Sequence, residues 1–239
     1  MSTLLASRAP SGSADDAGAQ SRLEARLPPL LSVIAGMVDL TGFFMLGHVF
    51  TAHVTGNLVV AAAAVVGGGP LVTTQIIAIP IFMLALAAVW WIAQLSDRRG
   101  PSLARLLLLV QFVLLGAVLV SSVVVKPSGN PHGLAAGITV MLCVCAMACQ
   151  YALLRLAMPR TVSTAVMTGN LTNAVLALME LSSARPRLQP GDTDRLKQSL
   201  YLLGGFLLGC VVAAAAISAL GNWAWTLPVM LAGGALAVR

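Results

Sequence analysis

The chain has 239 residues, 58% hydrophobic and 9% charged, with a formal net charge of +6. Soluble domains carry about 25% charged residues, so the composition excludes a soluble globular protein and leaves an integral membrane protein with a single membrane domain. The positive balance fits loops that meet anionic lipid headgroups and gives no footprint for nucleic acid.

Residues 1–28 are rich in Ser, Ala and Gly, with mixed charge and no apolar run. They lack the apolar core of a signal peptide and read as a disordered cytoplasmic tail. The membrane domain is expected over 29–238. About 20 apolar residues cross the hydrocarbon core as a helix, and stretches of that kind run over 29–50, 71–95, 104–125, 134–157, 198–220 and 222–238. Two shorter ones lie at 55–66 and 165–181. The alternation of a barrel strand is absent, so the fold class is all-α, a polytopic helical membrane protein.

The first span carries Asp39, the one charged residue placed inside an apolar stretch. A carboxylate there costs about 2.5–3.5 kcal/mol on insertion scales, so it should face the bundle interior or a wet cavity. Proton or cation coupling is one reading. The other is a structural partner for a buried Arg, His or backbone N–H, and Arg155 is a candidate for that pairing. His48 and His53 follow; their spacing does not put both on one helical face, and they read as interfacial or proton-relay histidines.

Next comes Thr55-Gly56-Asn57, which returns at Thr168-Gly169-Asn170. Aligning 51–64 with 164–177 gives identity at eight of fourteen positions, including the unbroken Thr-Gly-Asn-Leu. Gly lowers helix propensity and admits a close backbone, while Thr and Asn need hydrogen-bond partners in a dry setting. Such a segment can break a helix, cap the next or form a re-entrant tip, and its N–H groups can face an anion. Packing points between helices are the alternative.

The repeat divides the domain into halves, 29–125 and 134–238. Arg22 and Arg26 precede the first span. Arg98, Arg99 and Arg105 follow the second, Arg155 and Arg160 flank the end of the fourth, and Arg185, Arg187, Arg195 and Lys197 precede the fifth. Arg239 ends the chain. The opposite side would hold 67–70, 126–132 and the Gly221-Asn222 turn. All basic clusters fall on one side if the Thr-Gly-Asn helices do not cross, giving 3+3 spans in inverted orientation with the N-terminus cytoplasmic. If both helices cross, the plan is 4+4. Gln75, Gln111 and Gln150 could line a polar path or bond across helices. Cys143, Cys145, Cys149 and Cys210 lack zinc-site spacing and read as packing residues. Gly205 and Gly209 mark a helix contact, within the chain or in a homo-oligomer.

The stretch Gly36, Asp39, Gly42, Phe43, Phe50, Thr55, Gly56 and Asn57, together with Gln150 and Thr168-Gly169-Asn170-Leu171, resembles the YoaK-like family of multi-pass bacterial membrane proteins of unknown function. The chain departs from that family's Gln-Asn-Ala pattern with Gln150-Tyr151-Ala152. The resemblance implies a bacterial inner-membrane protein and carries no settled activity.

Walker, Gly-x-Ser-x-Gly and His-Glu-x-x-His motifs are missing from the sequence, so no enzyme is expected, and neither a cofactor nor a metal. The leading expectation is a small-molecule secondary transporter or permease, proton- or cation-coupled through Asp39. Its substrate-binding candidates are Asp39, Thr55, Gly56, Asn57, Gln150, Thr168, Gly169 and Asn170, and its expected partners are the bilayer and a small solute. The alternative is a non-transporting sensor, scaffold or assembly protein.

Overall fold

The computed structural model describes residues 14–68, 73–95, 100–158, 167–182 and 192–237. Among these residues eight α-helices follow one another: α1 (Ala14–Met45), α2 (Gly56–Val66), α3 (Thr73–Leu95), α4 (Gly100–Val124), α5 (Leu134–Leu156), α6 (Met167–Leu181), α7 (Asp192–Leu220) and α8 (Thr226–Ala237). Short 3-10 turns stand at Pro127–Gly129 and Gly221–Trp225. No strand occurs among the described residues.

Among the described residues, five helical stretches are long and apolar enough to cross a membrane: Arg26–Met45, Thr73–Leu95, Gly100–Val124, Leu134–Leu156 and Thr193–Ala237. The sequence suggested six spans. The difference lies at the C-terminus, where helical structure continues from α7 through the 3-10 turn into α8. Gly221 turns the chain there at φ +54°, and α8 has only 12 residues. The first span also ends earlier than position 50. Gly47 and His48 both take positive φ, +86° and +58°, and stop α1 at Met45. α1 begins at Ala14, within the stretch read as a tail, and residues 1–13 lie outside the described residues. So do Arg98, Arg99, Arg160, Arg185, Arg187 and Arg239, on which much of the orientation reading rests, and Thr164 and Ala165 of the repeat.

α2 has 11 residues, about 16 Å of helix at 1.5 Å per residue, too short for a hydrocarbon core of about 30 Å. α6 has 15 residues, about 22 Å.

α5 is central, with Cys143, Met147, Gln150 and Leu153 fully buried. α1 lies along α7, and α3 along α5. α4 packs on α5, and α8 on α1. α2 rests on α3, and α6 on α7. α4 also meets α8, and α1 meets α5. The α1–α7 contact is backbone to backbone. A Cβ on Gly36 would overlap the Phe206 carbonyl, and one on Gly209 would overlap the Val33 carbonyl. Ser32 Oγ donates to the Leu202 carbonyl at 2.6 Å. The Gly205/Gly209 face thus serves a contact within the chain.

One end of the bundle gathers several chain reversals. A Cβ on Gly47 would come 2.8 Å from the Pro131 carbonyl oxygen. Gln75 Nε2 donates to the His48 carbonyl at 3.2 Å, and Ser128 Oγ donates to Asn222 Oδ1 at 2.8 Å. The end of α1, the start of α3, the α4–α5 connection and the α7–α8 turn are therefore neighbours. Trp90, Trp91 and Arg155 lie toward the other ends of α3 and α5.

Candidate functional site

After α1 stops, residues 46–55 run back along its last turns. Asp39 is six residues before the end of α1, about 9 Å from it at 1.5 Å per residue. Its side chain reaches the returning segment. Asp39 Oδ1 accepts from the backbone N–H of Thr51 at 2.7 Å and of Ala52 at 2.9 Å. Its Oδ2 is 2.7 Å from His53 Nδ1. Asp39 is 4% exposed, whereas the His53 side chain is 29% exposed. A carboxylate desolvated this far needs such partners, and two amide donors plus an imidazole supply them.

The Thr-Gly-Asn segment closes the same loop. Asn57 is fully buried. Its Oδ1 accepts from the Phe50 N–H at 2.8 Å, and its Nδ2 donates to the Phe50 carbonyl at 2.8 Å. This side chain pairs with the backbone as a strand would, and one N–H and one lone pair of the amide remain. The Phe43 and Phe50 rings lie 4.7 Å apart, and a Cβ on Gly56 would come 3.0 Å from Phe50 Cδ2. Gly56 thus gives the Phe50 ring its room. Thr55 is exposed and makes no side-chain cap to α2.

Helices α5 and α7 complete the surround. Tyr151 Oη donates to the Ala52 carbonyl at 3.0 Å, so the departure from Gln-Asn-Ala keeps a polar contact at this position. The His53 ring meets Phe206 edge-on, with centroids 5.0 Å apart. Asp39, His53, Ala52 and Tyr151 form one connected polar group inside apolar walls.

Gln150 stands elsewhere. Gln111 Nε2 donates to Gln150 Oε1 at 2.7 Å, and Gln150 Nε2 donates to the Leu31 carbonyl at 2.9 Å. Leu31 is eight residues before Asp39, about 12 Å along α1. Gln150 therefore ties α4, α5 and α1 together at another level.

The second motif opens α6, which packs on α7. Thr168 is exposed, Gly169 half-buried and Asn170 buried, the same order as Thr55, Gly56 and Asn57. Asn170 and Ala174 are the buried residues of α6, as Asn57 and Ala61 are of α2.

The sequence reading offered Asp39 an Arg, a His or a backbone N–H without settling which, and it missed one further pairing. His53 is the partner of Asp39, and Arg155 is not: among the described residues the ion pair is His53 with Asp39. The signal was present, since a break at Gly47 folds the next residues back past Asp39. The missed pairing is Asn57 with Phe50, which depends on a loop geometry that no spacing rule specifies. Among the described residues no three His, Cys, Asp or Glu side chains converge as metal ligands would.

Residues 27–238 match the family model described as "Protein of unknown function (DUF1275)", and the chain belongs to that family. This bears out the resemblance to an uncharacterised membrane-protein family. No curated protein and no solved structure matches the chain.

Proposed function

We propose that this member of the DUF1275 family is a secondary transporter for a small solute, coupled to protons at the Asp39–His53 pair. The observation that carries the reading is a buried carboxylate held at a helix break beside a half-exposed histidine. An ionisable group inside a membrane bundle is a functional-site candidate by default, because such groups mark substrate and ion pathways and proton relays. His53 is the exposed member, so a proton reaches Asp39 Oδ2 through its ring. Taking up or losing that proton changes the hold on Thr51 and Ala52, and with it the returning loop. The reading needs no enzyme chemistry, cofactor or nucleic acid.

The same reading places the chain in the bacterial inner membrane with a cytoplasmic N-terminus. It gives two inverted halves, each with three spans and one short helix behind its Thr-Gly-Asn, the last span being the 3-10 turn Gly221–Trp225 continued by α8. The packing supports it. Exchanging the halves turns α1 on α7 into α5 on α3, α4 on α5 into α8 on α1, and α2 on α3 into α6 on α7. The gathering of the α1, α4 and α7 ends supports three spans per half, because α2 then enters and leaves on one side. Inverted repeats with broken helices are a common transporter plan.

A sensor or scaffold is the second reading, and one observation favours it. Asp39 is fully paired inside the fold, and those bonds suffice to hold a loop. The deciding experiment uses proteoliposomes that enclose a pH-sensitive dye, challenged with a panel of small solutes. Transport predicts solute-dependent proton movement that Asp39→Asn abolishes. A scaffold predicts none with any solute. Labelling single cysteines placed in 67–70 and 185–195 from either side tests the topology, with opposite-side labelling expected.

A further inference from the structure

A cavity of about 480 Å³ opens between α3 and α5. Its walls are Phe82, Leu86, Trp90, Tyr151 and Leu156, with Arg155 as the charged residue. Trp90 is 47% exposed and Leu156 36%, so the opening faces outward from the bundle. Arg155 is exposed in the last turn of α5 and forms no ion pair among the described residues. An apolar cleft of this size takes a small molecule, and a lone guanidinium at its edge asks for an anion, which it can grip through two N–H groups.

We infer that this cavity binds one anionic phospholipid drawn from the bilayer. The phosphate sits on Arg155, and an acyl chain follows Phe82, Leu86 and Trp90. The position suits an amphiphile, since Trp and Arg near helix ends sit at headgroup level while the wall beside them lies in hydrocarbon. A free anion would leave that wall uncovered, and a neutral lipid would leave the charge unanswered.

The site reaches the polar group at the helix break. The Tyr151 ring lines the cavity and meets Phe82 at 6.0 Å between centroids. Its hydroxyl holds the Ala52 carbonyl, and the Ala52 amide holds Asp39. A bound lipid braces Tyr151 and through it the returning loop. Any effect on flux rests on the transport reading; the binding itself does not.

The test uses the full chain, delipidated in detergent, with bound lipid counted by native mass spectrometry. One phosphatidylglycerol should bind about tenfold more tightly than diacylglycerol, which has no phosphate, as one charge-assisted contact allows. Inorganic phosphate should not displace it. Arg155→Gln should bring phosphatidylglycerol down to the level of diacylglycerol, and Arg155→Lys should keep most of the preference. Leu86→Trp, which fills the cleft, should weaken both lipids. Equal binding of the two lipids, an Arg155→Gln variant that binds like the parent, or full displacement by inorganic phosphate would each overturn the site. None of these readouts depends on transport, so failure here and failure of the transport reading are separable.

Discussion

Residues 55–57 and 168–170 carry the same three amino acids with the same burial order, yet their surroundings differ in kind. Ahead of the first stand Asp39 and His53, 2.7 Å apart. In the register that aligns the motifs, the second half has Ala152 and Val166 at those positions. Thr-Gly-Asn is thus the shared device that starts a short helix with one buried amide. The Asp–His pair precedes only the first of the two motifs. A repeated motif advertises architecture, and the chemistry has to be sought in what the copies do not share.

The sharpest way to break this comparison is to move the charge. Asp39→Ala leaves the Thr51 and Ala52 amides without acceptors and should lower stability in detergent by about 3–5 kcal/mol. Ala152→Asp puts a carboxylate at the aligned position of α5, where the sequence counterpart of His53 is Val166, and should cost about 2.5–3.5 kcal/mol. Thermal unfolding of both variants checks this. If Ala152→Asp is tolerated, the second half accepts charge and the contrast fails.

Asn57→Ala comes next. It strips the Phe50 N–H and carbonyl of their partners and should cost about 2–3 kcal/mol. The same loss should loosen the return segment, seen as faster hydrogen exchange at Phe50, Thr51 and Ala52. Unchanged exchange there would mean that the segment does not depend on the motif. Smallest are Thr55→Ala and Thr168→Ala. Both hydroxyl residues are exposed, and each substitution should stay within about 0.5 kcal/mol. A large loss at one of them alone would reveal a contact that separates the halves.

The middle of the bundle was legible from the sequence. Spans read at 71–95, 104–125 and 134–157 compare with α3, α4 and α5 at 73–95, 100–124 and 134–156, because continuous apolar runs between polar loops leave a helix no alternative in lipid. The ends of α1 and α7 were less legible. Hydropathy continues through Met45 to Phe50, so only the positive φ of Gly47 and His48 reveals the stop. The site was legible in parts. Asp39 stood out by its charge, and Thr-Gly-Asn by its repetition. A break in the chain between them is what brings the two together, and the structure has that break at Gly47. His53 was not singled out as the Asp39 partner because it lies in the non-helical segment that returns past α1, where spacing rules for one helix do not apply. Gln150 was read as lining a polar path or bonding across helices, and its two hydrogen bonds to Gln111 and Leu31 fasten three helices.

The central claim is that the Asp39 charge, and not merely its hydrogen bonds, is what the protein uses. Asp39→Asn separates the two. An asparagine carbonyl can still accept from Thr51 and Ala52, and its NH₂ can donate to a neutral His53, so the loop keeps its shape while the proton site is gone. The direct measurement is solute-dependent proton movement into proteoliposomes, with the variant and the parent reconstituted at equal density and shown to unfold at similar temperatures. The account predicts movement by the parent and none by Asp39→Asn. Parent-like proton movement by the folded Asn variant would contradict it and leave Asp39 as a loop fastener.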